Sequence, residues 1–183
     1  VKLEFKKWKC KLVPLYLTYH AFRNGVRDNE LFVPEGIIFD EAQKLKSHKS
    51  LQSSCADILT EEMRLKHDEP FILEMSGAPA PNQPSDWWHI CEVACPGYIK
   101  EGDWWKFRDR LAVMTEMTSA SNQTFTKVKD WKDDSDKCNV CSLPQEEHDP
   151  FTGHDYVKSK NEVEFLYERM QGLNIVYFKK DCL

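Results

Sequence analysis

The 183 residues contain no apolar run approaching the roughly 20 needed to cross a bilayer. The opening VKLEFKKWKCK also lacks the apolar core of a secretory signal. The chain is therefore expected to be soluble and cytoplasmic, with no membrane partner. It has no basic excess either: 25 Lys and Arg stand against 30 Asp and Glu, a formal net charge of -5. That argues against a protein coated in cations, yet leaves room for a local basic groove that binds nucleic acid. There is no internal repeat, and no low-complexity tract beyond the acidic patch at Asp133, Asp134 and Asp136. What is present is a globular balance, 41% hydrophobic and 30% charged, long enough for one ordinary domain with a sizeable core. Seven cysteines are an odd number, and the CNVC at Cys138 and Cys141 suits a metal in a reducing compartment better than a disulfide ladder.

Periodicity predicts an α/β order. LVPLYLTYHAF, Leu12 to Phe22, reads as a strand running into a short turn, and EGIIF after Pro34 reads as the next strand. From Ser50, Leu51, Cys55, Ile58, Leu59 and Met63 share one helical face ending near Lys66, and Phe71 to Met75 makes a strand that breaks into a proline-rich loop. Strand, acidic loop, helix, strand implies a parallel sheet. Asp86 is placed to cap a helix through Cys95, and Asp103 another through about Met117. Trp87, Trp88, Trp104 and Trp105 lie in their first turns, where packing is a commoner role than base stacking. Thr118 to Lys137 is polar and reads as a loop or the edge of an insertion. NEVEFLYERMQ puts Val163, Leu166, Tyr167 and Met170 on one face before Gly172, and LNIVYF reads as a last strand.

In EGIIFDEAQKLK the apolar strand ends in two carboxylates, Asp40 and Glu41. At the carboxyl end of a parallel strand such a pair can face a metal and phosphates. On its own, a DE pair is read first as the cap of the following helix.

The order of several matches changes that reading. FDEAQKLK resembles the DEAH/DEAQ-type Walker B motif of superfamily-two helicases, and LEMSGAPAPNQPSDWW, starting 33 residues after Asp40, resembles SGTPxxNxxxDLW of Swi/Snf-like ATPases. LTYHAFRN looks like the segment that precedes Walker B there and grips the nucleic-acid backbone, which implies such contacts for His20, Arg23 and Asn24. EVACPGYIKEGDWWKFRDRL is similar to the helical region that follows in phage-type members. The resemblance implies an incomplete RecA-like P-loop NTPase lobe in a DNA helicase or translocase, with RNA left open as the substrate. Asp40 would position magnesium on ATP and Glu41 would activate the hydrolytic water. Gln43 would sense the terminal phosphate and pass that contact to Ser76 and Gly77. Ala78 stands where the family usually has Thr, so a hydroxyl is missing from the coupling loop. No GxxxxGK[ST] phosphate loop occurs in the chain, and the second RecA-like lobe is missing. The chain is thus expected to be a fragment, the latter half of the first motor lobe, unable to hydrolyse ATP alone and with an apolar sheet edge exposed.

KCNVCSLPQEEHDPFTGHDYV sets Cys138, Cys141, His148 and His154 as C-x2-C-x6-H-x5-H, the spacing of a compact zinc knuckle. A redox CxxC, plain surface histidines and a site completed by an Asp are the alternatives. A Cys/His insertion followed by a segment like SKNEVEFLYERMQGL also occurs in the phage-type helicases the chain resembles. Cys91 and Cys95, with His89 adjacent, read as core residues before chelators. The organisation expected is a partial ATPase lobe over 1–125, a zinc insertion over 126–158, and a helix and strand over 159–183. The competing reading is a zinc-stabilised nucleic-acid-binding or protein-interaction module without ATPase activity.

Overall fold

A computed structural model describes residues 14–175. The first helix, α1 (Tyr19–Arg27), starts where the Thr18 hydroxyl accepts from the Ala21 N–H at 3.1 Å. Residues 14–18 form no strand, and Leu12 and Val13 lie outside the described residues. The strand expected over Leu12 to Phe22 is therefore corrected to a capped helix. Its aromatic run is helical because Phe22 and Gly25 turn to the core while His20 and Arg27 face out. Gly25 is required by close approach: a Cβ there would sit 2.7 Å from Leu31 Cγ.

Strand β1 (Gly36–Asp40) pairs in parallel with β2 (Phe71–Met75), Gly36 opposite Phe71 and Asp40 opposite Met75. Between them runs α2 (Leu51–Lys66), capped by the Ser50 hydroxyl on Ser53 N–H at 3.1 Å. Alternation sends Phe39 inward, where its ring meets Phe22 edge-on at 5.7 Å, and Cys55, Ala56, Leu59 and Met63 of α2 close the core. The strand EGIIF is less buried than its run of apolar residues suggests. Ile38 is 51% exposed, with Phe71, Leu73 and Met75 exposed on the same face. Nothing among the described residues covers this apolar face of the parallel pair.

A second core lies beyond the proline-rich loop. Helices α3 (Trp87–Ala94) and α4 (Trp104–Leu111) bury Trp87, Trp88, Cys91, Phe107 and Leu111 against Leu166 and Met170 of the region of α5 (Glu162–Arg169). Trp105 instead is half exposed. Asp103 caps α4 through Lys106 N–H at 2.9 Å, as its sequence position implies. The helix ends at Leu111, six residues short of Met117, because the chain passes directly into β3 (Ala112–Thr118). That strand pairs antiparallel with β4 (Thr124–Trp131), so the loop expected over Thr118 to Lys137 is in large part a strand. Its TFTKVKDW alternates weakly because most of both faces is exposed, leaving main-chain pairing as its chief reason to form. Asn161 caps α5 on Glu164 N–H at 3.0 Å. Leu166 and Met170 are buried and Tyr167 is exposed. Leu173 to Ile175 form no strand, and the remainder of the expected LNIVYF strand lies outside the described residues. The molecule is mixed α/β with one parallel and one antiparallel pair. No helix among the described residues is long and apolar enough to cross a membrane.

Candidate functional site

Asp40 ends β1, and Glu41 follows in the left-handed region at φ 57°, ψ 51°. A non-glycine residue there costs of order 1 kcal/mol or more and is held only by its surroundings. They are visible: the next turn, Ala42–Leu45, buries Ala42 and Leu45 in the core. Glu41 and its neighbour Gln43 are thereby turned outward at the carboxyl end of the parallel pair, the edge where open α/β sheets bind ligands.

Neither carboxylate caps α2, whose cap is Ser50. Asp40 Oδ1 accepts from Glu41 N–H at 3.0 Å. Gln43 Nε2 donates to Glu41 Oε2 at 2.6 Å, Ser76 Oγ donates to Gln43 Oε1 at 2.5 Å, and Ala78 N–H donates to Ser76 Oγ at 3.1 Å. A continuous hydrogen-bonded path thus joins the acidic turn to the loop leaving β2. Gly77 sits in it with open space where a Cβ would lie.

A second tie runs parallel to the first. Asp86, expected as a helix cap, makes no cap bond. Its buried carboxylate accepts instead from Lys46 Nζ at 3.2 Å and Asn82 N–H at 3.3 Å. The helix entry is thereby clamped to the end of the Glu41-bearing turn. Sequence reasoning missed Lys46, whose only signal was its position directly after that turn.

Asp40 and Glu41 are exposed and form no ion pair among the described residues. Mg2+ in nucleotide sites takes one or two carboxylates and completes its shell with water and phosphate oxygens. His20, Arg23 and Asn24 form a separate cluster on α1, with His20 Nδ1 2.8 Å from Arg23 Nη2 and Nε2 3.2 Å from Asn24 Nδ2.

One buried acid escaped sequence reasoning. Glu74 alternates inward beside Ile72 on β2, and neither carboxylate oxygen has a hydrogen-bond partner among the described residues. Burial, with the Asp57 charge adding to it, pushes the Glu74 carboxyl up to about 8. Burial likewise raises the Tyr19 hydroxyl, helped by Glu74, Asp40 and Glu41. At Glu74 the folded state therefore keeps a proton that the unfolded state has lost between about pH 4.5 and 8, so this group's contribution to stability falls as pH rises through that window. Glu74→Gln should remove this contribution and raise stability at pH 8 by roughly 4 kcal/mol, with little effect at pH 4.5. Urea midpoints measured across that range check it.

The second constellation is the Cys/His loop. Ligand atoms of Cys138, Cys141, His148 and His154 all lie within 4.8 Å of one another. Cys138 Sγ is 3.4 Å from His154 Nε2, and that nitrogen is 3.2 Å from His148 Nε2. Zinc bonds of 2.0–2.3 Å in a tetrahedron put ligands roughly 3.3–3.8 Å apart, so these spacings suit a zinc ion. Local backbone explains the convergence. Cys138 N–H donates to Leu143 O and Ser142 N–H to Cys138 O, which curls the CNVC turn around its sulfurs. Asp149 accepts from Phe151 N–H, and Gly153 at φ 78° reverses the chain to bring His154 back. His154 Nδ1 lies 3.1 Å from Thr152 O, an orientation that frees Nε2 to ligate. Burial opposes ionisation of Cys138, but N–H donors from Val157, Val140 and Cys141 and the His154 contact bring its thiol down to about 5. A thiolate is what a metal binds.

Cys91 differs in each respect. Burial pushes its thiol up to about 12, its sulfur contacts Met170, and adjacent His89 is engaged by Asp57 at 3.0 Å. It is a core residue. Compared with known proteins, the chain matches no family model, no curated protein and no solved structure.

Proposed function

We propose that the chain carries the ATP-hydrolysing acidic half-site of a DNA-dependent motor, in an incomplete RecA-like lobe of the superfamily-two, Swi/Snf-like kind. The observation that carries this reading is the path Glu41–Gln43–Ser76–Ala78 at the carboxyl edge of the parallel strands. A helix cap needs no such path. A site that must report nucleotide state to a moving loop does.

In this reading Asp40 and Glu41 are the residues that meet Mg-ATP. Bound magnesium would offset negative charge on the terminal phosphates. Glu41 orients and deprotonates the attacking water, held at a fixed angle by its left-handed backbone and by the Gln43 amide. Gln43 bonds the base through one amide atom and the loop through the other, so displacing its side chain alters both contacts together. The phosphate loop and a second lobe must come from elsewhere for turnover, and the strand that is moved would be DNA, with RNA open. Glu41→Gln, in a protein that supplies those parts, tests the assignment: ATP turnover should collapse while the fold persists.

The metal cluster favours a second reading, a zinc-stabilised binding or interaction module without ATPase activity. Its four ligands need nothing outside the described residues. Undiminished turnover in Glu41→Gln would leave this as the better reading.

A further inference from the structure

Between the loop leaving β2 and helix α5 lies a cavity of about 190 Å³. Trp87, Val163, Leu166 and Tyr167 wall it, and residues 80–84 form its rim. The Trp87 and Tyr167 rings meet at 82° with centroids 6.3 Å apart, making an aromatic corner. Trp87 is held rigid by burial, whereas Tyr167 is 54% exposed and can close over an occupant. No charged side chain lines the cavity. The rim carries the two amides of Asn82 and Gln83, whose side chains make no hydrogen bond within the described residues.

Each property narrows the occupant. A neutral lining gives a phosphate or an ammonium nothing to pair with. The volume falls below the roughly 300–1,000 Å³ of pockets that enclose drug-sized ligands, so it admits a single ring system and not a whole nucleotide. The aromatic corner favours a planar ring. Free side-chain amides at the rim present paired donor and acceptor atoms, the pattern with which Asn and Gln read the edges of bases. A proline-rich segment would use the aromatic rings but offers those amides only backbone carbonyls.

We propose that this cavity binds a nucleobase, stacked on Trp87 and read at its edge by Asn82 and Gln83. The inference stands on the cavity and does not require ATP hydrolysis. The rim also connects to the acidic turn, since Asn82 N–H shares the Asp86 carboxylate with Lys46. An occupant that moves the rim therefore pulls on the clamp at the end of the Glu41 turn.

The test is tryptophan fluorescence of the chain titrated with adenosine, with a short single-stranded oligodeoxyadenylate, and with a proline-rich peptide. Adenosine or the oligonucleotide should quench emission, and Trp87→Phe should remove that component of the quench. Asn82→Ala and Gln83→Ala, whose side chains make no hydrogen bond within the described residues, should each weaken binding about tenfold without moving the unfolding midpoint. Equal affinity for adenosine and the oligonucleotide identifies a free nucleoside as the source of the base. Binding of the oligonucleotide at least tenfold tighter identifies a nucleic-acid strand. The inference is overturned by no quench from either at millimolar concentration, or by a quench that survives Trp87→Phe. Unchanged affinity in both alanine variants, or quenching by the peptide alone, overturns it as well.

Discussion

Purified chain is expected to carry about one zinc ion, and the double change Cys138→Ser, Cys141→Ser should release it and unfold residues 132–160 while the two cores persist. Among the residues of that stretch whose burial is described, only Cys138 and Ser159 are buried. So little apolar surface leaves the water there that burial cannot offset the roughly 1–2 kcal/mol per residue of backbone entropy lost on ordering. Metal coordination has to supply the difference, and zinc binding in small finger peptides contributes on the order of 10 kcal/mol. The effect stays local because neither core includes a residue from this segment. The attachments that remain are main-chain and ionic, such as the Lys137–Asp130 pair at 3.1 Å and the Lys132 N–H bond to Leu111 O at 2.8 Å. Metal analysis and limited proteolysis check this directly: cleavage sites should open within 132–160 on chelation and close when zinc returns. Protein that is metal-free yet protease-resistant across the loop would sink the claim.

The second large effect is catalytic. In a protein supplied with a phosphate loop and second lobe, Glu41→Gln should lower ATP turnover by about 10²–10⁴-fold, the usual contribution of a positioned base. The substitution is well suited to the question. Gln43 Nε2 now donates to Glu41 Oε2, and a glutamine carbonyl in the same place can accept that bond. The path to Ser76 then survives and only basicity is lost, so nucleotide affinity should hold while turnover falls. Gln43→Ala makes the complementary change. It keeps the carboxylate but removes both its bond from the Gln43 amide and the link to Ser76, so basal turnover should fall less than in Glu41→Gln while stimulation by DNA falls further. Measuring turnover with and without DNA for both variants separates chemistry from coupling. Turnover of Glu41→Gln near the unsubstituted rate would remove Glu41 from the mechanism.

Physical reasons divide what could be read in advance from what could not. The bounds of helix α2 were legible, because Ser50 and the spacing of Cys55, Leu59 and Met63 are local signals that tertiary packing reinforces, but Leu51 and Ile58, read on the same face, are exposed. Strand β2 and its parallel partner were legible from short apolar runs set either side of a helix. The hairpin of β3 and β4 was not: Val113, Met114 and Met117 continue a helical-looking face, and the polar TFTKVKDW gains its strand only by pairing with them. Helix α1 failed for the opposite reason, an aromatic run whose strand and helix readings differ only in which residues the core selects.

The candidate sites divide in the same way. By itself the sequence pointed to the cluster Cys138, Cys141, His148 and His154 as one that could hold a metal, since two short-range turns suffice to bring such spacings together. It also determined that Asp40 and Glu41 stand at a strand end. Only the tertiary structure decided that Gln43, whose contact to Ser76 the resemblance implied, also bonds Glu41, that Asp86 clamps Lys46 and does not cap a helix, and that Glu74 is buried without a hydrogen-bond partner among the described residues. Each of these depends on a residue more than thirty positions away in the chain or on what covers it, and neither distance in space nor burial is written in local spacing.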